Sequence, residues 1–251
     1  MDESTGMNAF KCSIVIATYN RSLLLKETLE SLATNLGEAA DCEIIVVNNN
    51  STDDTQTVAD SFVGRLFNFR VFLETSQGLS YARNRGVSES FGAIIVFLDD
   101  DVEVEQTWLQ RLIEPFVDQR VAVIGGKVLP FGMQKIPVWL PREYGFLASV
   151  FDPSDSECEI DKVMGANFAV KREVFDEVGL FDVNLGRKGT KLLGGEEVEL
   201  FHRIRKAGYK ILFTPESRVW HKIADKLRRE YIEDYADRKS TRLNSSHLGI
   251  S

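Results

Sequence analysis

Apolar runs alternate with helix-period patterns through the first half of the chain. "CSIVIAT" (12–18) reads as a strand, "SLLLKETLESLATNL" (22–36) as an amphipathic helix and "EIIVVN" (43–48) as a second buried strand. A helix follows from about Asp53 to Val63, then the strand "FRVFLE" (69–74), a helix from about Ser80, the strand "AIIVFL" (93–98) and a helix from about Gln106. This rhythm, with strands apolar on both faces, predicts an α/β fold built on a parallel sheet covered on both sides. In such sheets ligands bind beyond the carboxyl ends of the strands. Those ends carry polar, turn-prone clusters here: "ATYNR", "NNNSTDDT", "TSQGLSYARNRG" and "DDDVE".

After "VAVIGGKVLP" (121–130) the rhythm breaks. Residues 130–160 hold four of the chain's six prolines together with Trp139, Tyr144 and Phe146, and read as a long irregular segment of the kind that is often functional. Its aromatics suit either a face for a sugar ring or lipid-linked acceptor, or a small satellite core. "KVMGANFAVKREVF" then predicts a strand leading into a helix, and "GGEEVELFHRIRKAGYKILFTP" a helix leading into a strand.

The 251 residues, 43% hydrophobic, are enough for one sizeable core, and a net charge of −8 argues against a nucleic-acid partner. Cys12, Cys42 and Cys158 lack metal-type spacing and read as thiols of a reducing compartment. No apolar run approaches the roughly 18–20 residues of a membrane span, and the first ten residues are not a secretory leader. A cytoplasmic protein is expected, with peripheral association at the cytoplasmic face of the membrane left open. The segment "DRKSTRLNSSHLGIS" (237–251) changes character abruptly and back-translates as a sequencing-library adapter read as coding sequence. It is expected to be an artefact, with the natural chain continuing past Ala236; without it, residues 1–236 carry about −10.

Three consecutive aspartates at a strand end call for compensation, because like charges that close repel. Period-two alternation puts Asp99 and Asp101 on one side and Asp100 on the other, and two carboxylates sharing a side make a natural ligand pair for Mg²⁺ or Mn²⁺. A solvated acidic turn capping the next helix is the plainer alternative.

Taken in order, "IVIATYNR", "EIIVVNNNSTDDT", "QGLSYARNRG", "VFLDDDV", "GANFAVKREVF" with "GLFD", and "GGEEVELFHRIRKAGY" resemble the family 2 glycosyltransferases of the GT-A fold, over about residues 10–222. The resemblance implies a single Rossmann-like domain. A nucleotide-sugar-binding half would span about 10–125 and an acceptor and catalytic half about 126–222, followed by a truncated C-terminal helix at 223–236. It implies metal-dependent sugar transfer with inversion, from a nucleotide diphosphate sugar such as a UDP-sugar to a glycan or lipid-linked acceptor, as in cell-surface polysaccharide synthesis.

Carried over by position, Ala17 and Tyr19 would line the base pocket. Asn48 stands where the family usually has a base-reading aspartate; its amide can accept from uracil N3–H and donate to O4, or it can simply shape a turn. Gly78 would permit close backbone approach. Arg83 would lie near the donor, or alternatively pair at the surface with Glu74 or Glu89. Asp99 or Asp100 would contact ribose and donor, Asp101 would ligate the metal, and His221 would approach the metal or diphosphate. "MGANFAV" (164–170) would lie on the acceptor side, with Asn167 near the transferred sugar. Glu197 would be the base, where the family usually has the aspartate of a Glu-Asp pair. It shares a helical stripe with Leu200, Phe201 and Ile204, while Glu199 is placed to pair with Arg203. A non-catalytic nucleotide-sugar-binding module and a nucleotidyltransferase are the alternatives; the latter would normally show a lysine-containing phosphate loop, which "ATYNRSLLL" lacks.

Overall fold

The computed structural model describes residues 11–36, 41–132, 136–188, 194–223 and 227–233. The adapter-like tail 237–251 lies outside the described residues, as does part of the expected helix at 223–236. Strands β1 (Cys12–Thr18), β2 (Cys42–Asn48), β3 (Phe69–Leu73) and β4 (Ile94–Leu98) lie in the order β3-β2-β1-β4, all parallel. Their carboxyl ends therefore share one edge. Helices α1 (Ser22–Asn35), α2 (Thr55–Asp60) and α3 (Leu79–Glu89) connect them. Leu25, Leu29 and Leu32 of α1 bury against Ile14, Ile16, Ile44 and Val46 on one face; Ala82 and Val87 of α3 pack with Val15, Ile45 and Val47 on the other. Inward residues of alternate parity on a strand covered on both faces explain why each strand reads as a continuous apolar run.

The second half supplies the antiparallel members of a mostly parallel sheet. It comprises β5 (Val102–Val104), α4 (Trp108–Ile113), β6 (Val121–Pro130), a 3-10 helix (Arg142–Ala148), β7 (Cys158–Glu159), β8 (Asn167–Lys171), α5 (Arg172–Val178), α6 (Glu196–Lys206) and β9 (Lys210–His221). The nine-stranded sheet continues β4-β8-β6-β9-β5, and β8 runs antiparallel to both β4 and β6. β6 and β9 are parallel; β5 and β7 pair with β9 antiparallel. An apolar run reports burial on both faces but not direction. β8 follows an irregular segment, not a crossover helix, so nothing forces it to run with its neighbours.

The segment after β6 forms a satellite cluster, but from its aliphatic residues and not from its aromatics. Leu140, Ala148 and Val150 bury with Ile223 and Ile232 in a satellite cluster, whereas Val138, Trp139, Tyr144 and Phe146 remain exposed. No helix among the described residues is long and apolar enough to cross a membrane.

Candidate active site

The loops at the shared carboxyl edge are tied to one another. Asn20 adopts φ 51°, and its side-chain oxygen accepts from the Thr52 amide at 2.7 Å. Asp53 accepts from the Ser22 amide at 3.1 Å and from the Thr55 amide at 3.0 Å, so one carboxylate caps the first turns of both α1 and α2. The Asn-, Ser- and Asp-rich composition of these loops is thus a set of backbone caps across chain segments.

Beyond β4 the three aspartates lie in the turn that leads to β5. Asp99 is half-exposed and Asp101 buried, and with His221 each offers a ligand atom, all within 4.8 Å of one another. Asp100 turns away to a protein cation that the sequence did not single out: one Arg21 guanidinium nitrogen donates to Asp100 at 2.9 Å and to Asp101 at 2.8 Å. Burial pushes the Asp100 carboxyl up to about 6 against the pull of Arg21. At 5% exposure, Asp100 is a partner of Arg21 and not a donor contact; of the two candidates, Asp99 faces the open edge.

His221 reaches this group because β9 pairs with β5, setting His221 opposite Val102, next to Asp101. Its Nε2 lies 2.8 Å from Asp101 Oδ1 and its Nδ1 3.1 Å from the Ser149 carbonyl. A carbonyl only accepts, so Nδ1 carries a proton toward Ser149 and Nε2 is the nitrogen that faces the carboxylate. Carboxylate oxygens together with an imidazole nitrogen suit Mn²⁺ or Mg²⁺. Asp99, Asp101 and His221 therefore fit a divalent-metal site.

A second buried group lies beside it. Arg83, 4% exposed, bonds Glu196 at 3.0 Å and the Gly165 carbonyl at 3.2 Å, and stands 3.7 Å from Asp99. The alternative of a surface pair with Glu74 or Glu89 does not hold: Arg83 is buried, and Glu89 pairs instead with Arg85. A Cβ on Gly165 would fall 2.6 Å from Glu197 Oε1 and 2.8 Å from Arg83 Nη2, so only glycine lets the loop carry these two groups side by side. Glu197 is half-buried, above Leu200, Phe201 and Ile204 in the core. Burial pushes its carboxyl up, but the Arg83 charge and a hydrogen bond with Glu196 outweigh that and hold it below the ordinary range. Glu196, missed from sequence, is the more buried of the pair; burial and the Glu197 charge push it up to about 8. Glu199 bonds Arg203 at 2.7 Å as expected. Around Gly194 and Gly195 an added Cβ would meet nothing within 4 Å.

Ala17 and Tyr19, both half-buried, close the end of β1. Asn48, only 2% exposed, accepts from the Ser51 amide at 2.9 Å and donates to Gln56 at 2.8 Å, which makes it a turn-shaping residue with no open face for a base. Its neighbour Asn49 accepts from the Gly78 amide at 2.7 Å and donates to the Ser76 carbonyl, also at 2.7 Å. Gly78 has φ 147°, the left-handed side that a side chain would strain, at the start of α3. Asn167 is fully buried, accepting from Trp108 Nε1 at 2.8 Å and donating to the Lys127 carbonyl at 3.1 Å; it presents nothing to a sugar.

The chain is 30% identical over 220 residues to a glucosyl-dolichyl phosphate glucuronosyltransferase of Haloferax volcanii, covering 85% of this chain and 69% of that protein. It is 29% identical to glycosyltransferase AglE of the same organism, covering 80% of this chain and 64% of the relative. Among solved structures, the mannosyltransferase PcManGT of Pyrobaculum calidifontis, in complex with GDP-Man and Mn²⁺, superposes with a TM-score of 0.63 at 19% identity, over 84% of this chain and 56% of that one. GalNAc-T7 with UDP, GalNAc and Mn²⁺ gives 0.64 at 24%, over 86% and 44%. The chain thus spans about half the length of these solved chains, with which it shares the GT-A fold. The model of glycosyl transferase family 2 matches residues 13–179, and the chain belongs to that family: it is a nucleotide-sugar-dependent glycosyltransferase.

Proposed function

We propose that the enzyme moves a sugar from a nucleotide diphosphate donor, a UDP-sugar, to a hydroxyl of a glycan or lipid-linked acceptor with inversion at the anomeric carbon. The observation that carries this reading is the pair of groups at one sheet edge: the metal-fitting Asp99, Asp101 and His221, and the ionised, half-buried Glu197 beside Arg83. A Mg²⁺ or Mn²⁺ ion held by the first group would supply charge stabilisation for the departing diphosphate. Glu197 accepts the acceptor hydroxyl's proton as that oxygen attacks the anomeric carbon from the face opposite the leaving group. Its position in the first turn of α6 favours the carboxylate form that a base requires. Open space at Gly194 and Gly195 leaves room for the acceptor.

The names of relatives support the donor and acceptor classes. GalNAc-T7 was solved with UDP, and the Haloferax volcanii relative is named for a dolichyl phosphate-linked sugar. Exposed Val138, Trp139, Tyr144 and Phe146 favour a lipid-linked acceptor and peripheral association at the cytoplasmic face of a membrane.

The test is to incubate the protein with a panel of nucleotide sugars and Mg²⁺ or Mn²⁺ and follow nucleotide release and sugar transfer to candidate acceptors. Glu197→Gln should lower transfer by about 10²- to 10⁴-fold with donor binding near normal. Wild-type turnover in that variant removes Glu197 as the base. Asp101→Ala should weaken metal-dependent donor binding.

A further inference from the structure

Arg83 joins three pieces of the molecule that meet nowhere else in the sequence: α3 that carries it, the Gly165 loop before β8, and the first turn of α6. Glu196 is what anchors it. Its Oε1 takes Arg83 at 3.0 Å, while its buried Oε2 finds no hydrogen-bond donor among the described residues. That oxygen lies beside Gly186, where an added Cβ would fall 3.5 Å from it. A buried carboxylate oxygen without a donor is costly; the same oxygen carrying a proton becomes a donor itself. Glu197 is the neighbouring carboxylate in the same group: its Oε1 and the Arg83 guanidinium flank Gly165, 2.6 and 2.8 Å from where a Cβ there would stand, and Arg83 bonds Glu196 at 3.0 Å.

We infer that Glu196 is a positioning residue for the transfer step: as a neutral acid it anchors Arg83 and donates to Glu197, fixing where the base's carboxylate lies. The inference rests on the reading of Glu197 as the base. The charged groups facing Glu196 are Arg83 from α3 and Glu197 on its own helix, with Asp99 beyond Arg83 and Arg187 acting on Glu197. One guanidinium between two carboxyl groups compensates one charge well. The second carboxyl is accommodated as an acid, and the raised value for Glu196 agrees with that division.

The experiment uses the full chain with Mn²⁺ and the UDP-sugars of the panel, in Glu196→Gln, Glu196→Ala, Glu197→Gln and the Glu196→Ala/Glu197→Gln pair. Glutamine keeps an acceptor for Arg83 and a donor for Glu197, so Glu196→Gln should hold kcat near wild type at neutral pH and lose the fall in kcat on the alkaline side. Glu196→Ala should lower kcat by about 10- to 100-fold with donor KM nearly unchanged. Added to Glu197→Gln, it should cost little more, because the two residues act through one group. Infrared spectra of the unliganded protein give a readout independent of turnover: a protonated-carboxyl band that disappears in Glu196→Gln and shifts in Glu197→Gln. A purely structural Glu196 would instead give additive losses, a lowered Tm and no carboxyl band coupled to Glu197, and the inference falls. If Glu197→Gln turns over normally, the base assignment falls, while the infrared coupling still decides whether the two side chains share a proton.

Discussion

Asp101 and His221 stand 2.8 Å apart, brought together by the antiparallel pairing of β5 with β9. The Ser149 carbonyl accepts from Nδ1, which turns Nε2 toward the Asp101 carboxylate. Replacing His221 with alanine should therefore weaken Mn²⁺ binding by at least about tenfold, on the scale of losses at metal-supporting residues. Electron paramagnetic resonance of free Mn²⁺ during titration measures this directly; an unchanged affinity would remove His221 from the site.

Arg21 is the internal counter-ion of Asp100 and Asp101. Its loss in Arg21→Gln leaves two buried carboxylates facing each other, and breaking a buried ion pair costs about 3–5 kcal/mol. Arg21 itself is 34% exposed, so solvent reduces that to roughly 1–3 kcal/mol. Saturating Mn²⁺ should recover part of the loss, since a second cation is then available to the same carboxylates. Denaturation midpoints with and without Mn²⁺ check both statements.

Trp108 and Asn167 form a buried hydrogen bond where α4 meets β8. Trp108→Phe keeps a ring in the core but leaves the Asn167 oxygen without its donor, for a loss of about 1–3 kcal/mol. Urea unfolding of the variant should show a lower midpoint with an unchanged slope.

Stability should also depend on pH through Glu196. Its native value, raised from 4.5 to about 8, keeps it protonated where the unfolded chain has already ionised it. Stability from this group is complete below about 4.5 and is lost as pH rises toward about 8, by at most about 1.4 kcal/mol per pH unit. Glu197, moved the other way, acts below that window, where its contribution is lost as pH falls. Chemical denaturation between pH 5 and pH 8, at about one-unit steps, should give a shallower fall for Glu196→Gln than for wild type.

What could be read from the sequence divides along physical lines. The strands and helices of the first half, and the carboxyl edge where the site lies, follow from local periodicity. Strand direction does not: the antiparallel β8 reads as the same kind of apolar run as the parallel strands. The sequence does not single out Arg21, because its partners, Asp100 and Asp101, lie about eighty residues away just beyond β4. Glu196 was passed over for a related reason: the apolar stripe of α6 points to Glu197, whereas a buried acid becomes intelligible only once Arg83 arrives from α3. Asn48 and Asn167 are polar residues beside a ligand edge, and sequence cannot distinguish a group that will meet a substrate from one already satisfied within the protein.

The Ser149 carbonyl, at the end of the 3-10 helix and in a left-handed turn with φ 56°, selects which nitrogen of His221 faces Asp101. The last turn of the irregular stretch that precedes it is therefore not free to move. Sequence can be exchanged there, and even inserted at its exposed tip around Val138 and Trp139, provided the last turn still delivers one backbone oxygen to the imidazole. A deletion that moved that oxygen would alter the metal edge without touching any residue of it.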